Sequence, residues 1–152
     1  MPPVDFSKLH ILTVEDDATT RHLISTVLQS AGARITAAES GSDALAKLAS
    51  ASRVVDVILC DYNMPSGNGL QLLKAIRSGQ IKSVRPDTCF VMITSESATE
   101  TIKLAAFLDV NGYLLKPVTA SKMKAAIEKA RTKYFPVNPP LYATIAVPES
   151  DM

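Results

Sequence analysis

The feature that most constrains this chain is an alternation. Five short β-rich runs are each followed by a stretch of helical periodicity. The runs are Leu9–Val14, Ala33–Ala38, Val54–Cys60, Thr88–Thr94 and Tyr113–Leu115. Between them, apolar residues recur at three- and four-residue spacing, the period of a helix with one buried face. Leu23, Ile24, Val27, Leu28 and Ala31 form the first stripe, and Gly32 stands where a helix C-terminus wants a glycine. Ser40 can cap a short helix carrying Ala44, Leu45, Leu48 and Ala49. Leu70, Leu73 and Ile76 mark a third helix, and Ala98, Ile102 and Ala105 a fourth. Met123, Ala126, Ile127, Ala130 and Tyr134 mark a fifth. Val54–Cys60 is apolar except for Asp56, which is the pattern of a strand covered on both faces. Repeated βα units of this kind predict an α/β domain with a parallel sheet and helices on both sides.

Composition narrows the function classes. The chain has 152 residues and is 47% apolar, which suits one domain with one core region and rules out disorder. Lys and Arg number 16 against 15 Asp and Glu, so there is no broad positive field to attract nucleic acid. No apolar run approaches a membrane span, and Met1–Asp5 shows no leader pattern, so the expected location is the cytoplasm. Cys60 and Cys89 cannot form a disulfide framework, and their offset along adjacent strands is too long for a bridge. Both are expected to be buried, inert thiols. The segment after Tyr134 holds four prolines; Tyr142–Val147 could add a strand or dock on the body, but the expectation is mostly extended chain. The expected organisation is a tail over 1–7, a domain over 8–134 and a proline-rich tail over 135–152.

Ligands of open α/β sheets sit beyond the carboxyl ends of the strands. The first strand ends in Glu15-Asp16-Asp17, the third in Asp61, the fourth in Thr94-Ser95 and the fifth in Lys116-Pro117. Carboxylates gathered there repel one another unless a cation intervenes. Lys116 is one compensator. A bound ion is another, and an all-oxygen donor set favours Mg²⁺ over Zn²⁺. His10 and His22 are not placed to join the group.

These segments, Val14-Glu15-Asp16-Asp17, Asp61-Tyr62-Asn63-Met64-Pro65, Thr94-Ser95 and Gly112-Tyr113-Leu114-Leu115-Lys116-Pro117, resemble the receiver domain of two-component response regulators. The resemblance implies a flavodoxin-like, doubly wound (βα)5 fold with strand order 2-1-3-4-5. It implies that Asp61 accepts a phosphoryl group from a phosphohistidine of a histidine kinase or histidine phosphotransfer protein. Mg²⁺ would be held by Asp16 directly, by Glu15 through water, by Asp61 and by the main-chain carbonyl of Asn63. Thr94 and Lys116 would contact phosphoryl oxygens, and Tyr113 would be the switch aromatic. The Lys116–Pro117 peptide would be cis. The output surface would be the fourth helix, fifth strand and fifth helix, acting on a downstream protein that the sequence does not name. Nucleic acid is not an expected partner, because no helix-turn-helix fits after Tyr134, and neither is a membrane, because no apolar run is long enough to span one. Register with Arg21 makes Glu15 and Asp16 the site pair and leaves Asp17 as a helix N-cap.

Two alternatives share the architecture. A haloacid-dehalogenase-like phosphatase needs a second Asp where Asn63 stands. A flavodoxin-like flavin protein needs a phosphate cradle where Glu15-Asp16-Asp17 would repel one. A third reading, a degenerate receiver used only as a binding module, conflicts with the intact acceptor, acids, Thr94 and Lys116.

Overall fold

The computed structural model describes residues 4–62, 68–95 and 99–147. A single 3-10 turn at Phe6–Lys8 leads into β1 (His10–Val14), α1 (Ala18–Ser30), β2 (Arg34–Ala38), α2 (Gly41–Ala49) and β3 (Val57–Asp61). The chain continues through α3 (Gly69–Arg77), β4 (Cys89–Thr94), α4 (Thr99–Phe107), β5 (Gly112–Leu115), α5 (Ala120–Ala130) and α6 (Pro139–Ala143). All strand pairs are parallel, and the sheet order is β2-β1-β3-β4-β5. The expected order is therefore the observed one.

Alternation along each strand divides the core into two. Leu12, Ile58, Cys60, Phe90 and Met92 pack with Ala44, Leu48, Leu70, Leu73 and Ile76 on the side of α2 and α3. Ile11, Val57, Leu59, Val91 and Ile93 pack with Ile24, Leu28, Met123 and Ile127 on the side of α1 and α5. Because both faces are covered, β1 and β3 are buried at every position.

The helix starts follow the local chemistry. Asp17, Ser40, Asn68 and Thr119 each accept a backbone N–H of their helix's first turn. Asn68 and Gln71 complete a reciprocal capping box. Gly32 adopts φ +104° after α1, where a side chain is strained.

Several expectations are corrected. Leu23 and Leu45 lie on the solvent side of their helices, because α1 and α2 bury narrower faces than the apolar stripes suggest. Tyr134 is 90% exposed rather than on the buried face of α5. The helix ends at Ala130, and Thr132 and Lys133 donate back to Lys129 and Ala130 in a tight turn. Register pairs Val57 with Cys89, which confirms the offset between the thiols. Cys60 is buried, but Cys89 is only partly so. Burial raises the Cys60 thiol well above its usual range and pushes Cys89 up to about 11. His10 is buried by structure rather than function: its ring nitrogens meet Val54 O and Thr36 Oγ1.

The tail is the largest difference. Residues expected to be extended instead form α6, started by Pro139 and Pro140, whose fixed φ suits a first turn. Tyr142 is 2% exposed, and Ile145 and Val147 pack against the α2/α3-side core. Met64 to Gly67, Ala98 and Pro148 lie outside the described residues.

Beneath this tail sits Arg77, fully buried at the end of α3. Its Nε donates to Leu108 O at 3.1 Å, and Nη1 donates to Pro86 O and Thr88 O, both at 2.7 Å. Nη2 donates to Asp109 O at 2.8 Å and Asn111 Oδ1 at 2.7 Å. The guanidinium has five N–H donors, and five contacts use them. Burial pulls its pKa down to about 10, so it stays charged at neutral pH. Leucine here would leave those acceptors bare. Arg77→Leu is expected to lower unfolding stability in urea by about 3 kcal/mol or more, and Arg77→Lys, which lacks the planar fork, to recover less than half of that.

Candidate functional site

Parallel pairing of β1 with β3 sets two chain ends side by side at the carboxyl edge. Val14 pairs with Cys60, so Glu15 and Asp61 follow as neighbours. Glu15 extends the ladder through its N–H to Ala38 O at 3.0 Å. Arg21 Nη1 donates to Glu15 O at 2.9 Å and to Asp16 O at 3.3 Å, which holds the acidic turn in shape. Asp17 is the N-cap of α1, its carboxylate accepting from Thr20 N at 2.8 Å. The N-cap role of Asp17 read from the Arg21 register is thus the one found.

Glu15 and Asp61 are buried, while Asp16 is exposed at the mouth. One carboxylate oxygen from each of the three lies within 4.8 Å of the others. Lys116 arrives from the far side. Thr94 pairs with Leu115, and Lys116 N donates to Thr94 O at 2.9 Å, which places the next side chain over the acids. Its Nζ donates to Asp61 Oδ2 at 3.1 Å and lies 3.3 Å from Glu15 Oε1. The second distance is an ion pair without hydrogen-bond geometry, so the buried Oε1 has no hydrogen-bond partner. Thr94 is buried at the end of β4, and the Lys116–Pro117 peptide is cis.

The electrostatics follow from the burial. Desolvation, then the negative charge of Asp61, raises the Glu15 carboxyl to about 7. Burial lowers Lys116, but the hydrogen bond to Asp61 and the charges of Asp61 and Glu15 outweigh it and leave the ammonium above its ordinary range. Three carboxylates face one ammonium, so the site retains a negative excess. Oxygen-only donors, their close spacing and the orphaned Glu15 oxygen all fit a hard divalent cation such as Mg²⁺.

Tyr113 stands on β5 opposite Met92, and its hydroxyl donates to Ile102 O on α4 at 2.9 Å. Burial raises the phenol to about 12. Glu15, Asp16, Asp61 and Lys116 therefore converge, with Thr94 at the adjoining end of β4 and Tyr113 two positions back along β5 from Leu115, beside α4. Asn63 lies outside the described residues.

Gly69, which local sequence signals do not single out, shapes the site through its missing side chain. A Cβ there would meet Met92 Sδ at 2.5 Å and Asp61 O at 3.1 Å. Gly69 N also donates to Tyr62 O at 3.0 Å, closing the loop back onto the end of β3. Nothing short of the packing reveals this.

An acidic site at the carboxyl edge of a doubly wound parallel sheet defines a class of α/β domain, and comparison with known proteins identifies the family. Residues 11–128 match the response regulator receiver domain family. The chain is 38% identical over 122 residues to the chemotaxis protein CheY of Pseudomonas aeruginosa, covering 80% of this chain and 94% of that one. It is 36% identical over 122 residues to chemotaxis protein CheY-3 of Vibrio cholerae, covering 80% and 90%. A crystal structure of Vibrio cholerae CheY4 superposes with a TM-score of 0.71 at 31% identity, covering 80% of this chain and 98% of that one. The chain belongs to the response regulator receiver family, whose members are signalling domains of flavodoxin-like fold. Among the described residues, no helix is long and apolar enough to cross a membrane.

The raised Glu15 pKa has a testable sign. An acid raised from 4.5 to about 7 contributes stability when protonated, and that contribution is lost as pH rises through this window. Thermal unfolding of the metal-free protein is expected to show a melting temperature that falls between pH 5 and 8. Glu15→Gln should flatten the fall, and millimolar Mg²⁺ should reduce it in the parent. Gly69→Ala is expected to cost about 1–3 kcal/mol in urea unfolding, because Met92 and the Asp61 backbone must both give way.

Proposed function

We propose that this receiver takes a phosphoryl group onto Asp61 from a phosphohistidine of a histidine kinase or histidine phosphotransfer protein, with Mg²⁺ as cofactor. The observation that carries the reading is the buried Asp61 carboxylate, 3.1 Å from Lys116 Nζ and grouped with Glu15 and Asp16. An Asp61 oxygen attacks phosphorus, the P–N bond breaks, and its electron pair returns to the donor imidazole, which takes a proton. The product is an acyl phosphate. Phosphoryl transfer is mainly positioning and charge neutralisation, and the residues supply both. Lys116 offsets the negative charge of the nucleophile and the incoming group. Glu15, Asp16, Asp61 and the Asn63 carbonyl would hold Mg²⁺, which screens the repulsion between carboxylate and phosphoryl oxygens.

Thr94, at the end of β4, donates to a phosphoryl oxygen once one is present. Tyr113 then exchanges its bond to Ile102 O for a second position, and the surface of α4, β5 and α5 changes with it. A single charge-assisted hydrogen bond of about 1.5–3 kcal/mol shifts such an equilibrium by about one to two decades. The output is contact with a downstream protein. The domain is not an enzyme with turnover on a separate substrate; its chemistry is its own phosphorylation and dephosphorylation. The expected location of this chemistry is the cytoplasm.

Incubation with Mg²⁺ and acetyl phosphate followed by intact-mass measurement tests this. One phosphoryl adduct is expected, lost on Asp61→Asn and on chelation of the metal, and formed at least about ten-fold more slowly in Lys116→Ala. Thr94→Ala is expected to accept the phosphoryl group yet leave the Tyr113 fluorescence response to phosphorylation absent. Failure of the parent to form an adduct with acetyl phosphate or a cognate kinase would overturn the assignment.

A further inference from the structure

The family match ends at residue 128, and the chain beyond it does not trail away from the domain. It crosses the amino edge of the sheet, opposite Asp61, and closes on the loop joining α4 to β5. Phe135 lies over the Arg77 guanidinium, 4.8 Å from carbon to ring centroid. Lys133 Nζ donates to Val110 O at 2.6 Å. The Tyr142 hydroxyl donates to Asp109 Oδ2 at 2.7 Å. Asp109 itself adopts φ +53°, a left-handed conformation that a non-glycine residue holds only when its surroundings insist. Here Arg77 grips its carbonyl and Tyr142 its carboxylate.

Two of these contacts fall on the loop just after α4, and the third falls on Arg77 at the end of α3, whose guanidinium holds the carbonyls of Leu108 and Asp109 in that same loop. Leu104, Ala105 and Leu108, at the C-terminal end of α4 and just beyond it, pack in the same core as Tyr142, Ile145 and Val147. The other end of α4 follows Thr94 and Ser95, beside the acidic site. A nine-residue helix is about 13 Å long and moves as a unit, so fixing one end restricts where the other can go.

We propose that residues 135–147 form an intramolecular latch on the α4–β5 loop, with Tyr142 and Phe135 as its two fastenings and Arg77 as the hub they close over, and that this latch restrains α4 in its unphosphorylated position. The latch is a property of the resting chain. Its effect on phosphorylation rests on the reading of Asp61 given above. A segment that stabilises one position of α4 must lower the population of the other. The reverse also holds: a phosphoryl group that favours the other position loosens the latch.

Tyr142→Phe removes one hydrogen bond and keeps the ring in place, and Phe135→Ala removes the ring that faces Arg77 and Lys133. Leu141→Ala, on the exposed side of α6, serves as the control. Hydrogen exchange of the unphosphorylated full chain is expected to quicken about ten-fold in both variants, in peptides covering 102–111 as well as 138–145. Faster exchange in 138–145 alone, or in neither segment, overturns the latch, and a change in the control of the same size does so too. With Mg²⁺ and acetyl phosphate, both variants should acquire the phosphoryl group about two- to ten-fold faster than the parent. Equal or slower rates overturn the restraint on α4. If the parent acquires none, the Asp61 assignment fails, while the exchange result still decides the latch.

Discussion

Like charges forced together at the end of a buried sheet govern this molecule. Glu15 and Asp61 are neighbours because β1 and β3 pair in parallel and both strands end in acids. Burial makes the repulsion costly, and Lys116 compensates it only in part. Burial first, and then the charge of Asp61, raises Glu15 to about 7. A site in this condition has an affinity for positive charge built into it before any ligand arrives. It is also chemically selective, because hard oxygen donors this closely spaced suit a small divalent ion.

The rest of the fold keeps that imbalance in place. Two apolar layers hold the sheet from both faces, so the strand ends cannot drift apart to relieve the repulsion. Arg21 ties down the carbonyls of the acidic turn. Gly69 lets α3 begin close against the end of β3. Lys116 is delivered by pairing of β5 with β4, so the compensating charge depends on the edge strand. That strand carries Tyr113 as well, whose hydroxyl is bound to α4. Charge at the site and the position of α4 are thereby linked through a four-residue strand.

A second polar centre lies at the opposite edge. Arg77 is buried with no carboxylate ion pair among the described residues and is satisfied by four carbonyls and one amide oxygen. Such a group stabilises only when every donor is met, which makes it an organiser of the loops around it rather than a source of affinity. The two centres sit at opposite ends of the same strands and share α4 between them.

Much of the fold was legible because its signals are local. Alternating strands and helical stripes, the caps Asp17 and Ser40, and acids placed at strand ends all depend on neighbours within a few residues. Glu15, Asp16, Asp61, Thr94 and Lys116 were readable for the same reason: a parallel sheet brings strand ends together whatever else the chain does. Tyr142, Arg77 and Gly69 were not readable, since each owes its role to contacts more than thirty residues away or to the exact closeness of two backbones. Proline spacing suggested an extended tail, and burial of Tyr142 made it a docked helix. By itself the sequence determined the order of elements and the chemistry at their ends. Tertiary packing alone decided the charge state of Glu15, the environment of Arg77 and the path of the tail, because burial and long-range contact set those and neither is written in local spacing.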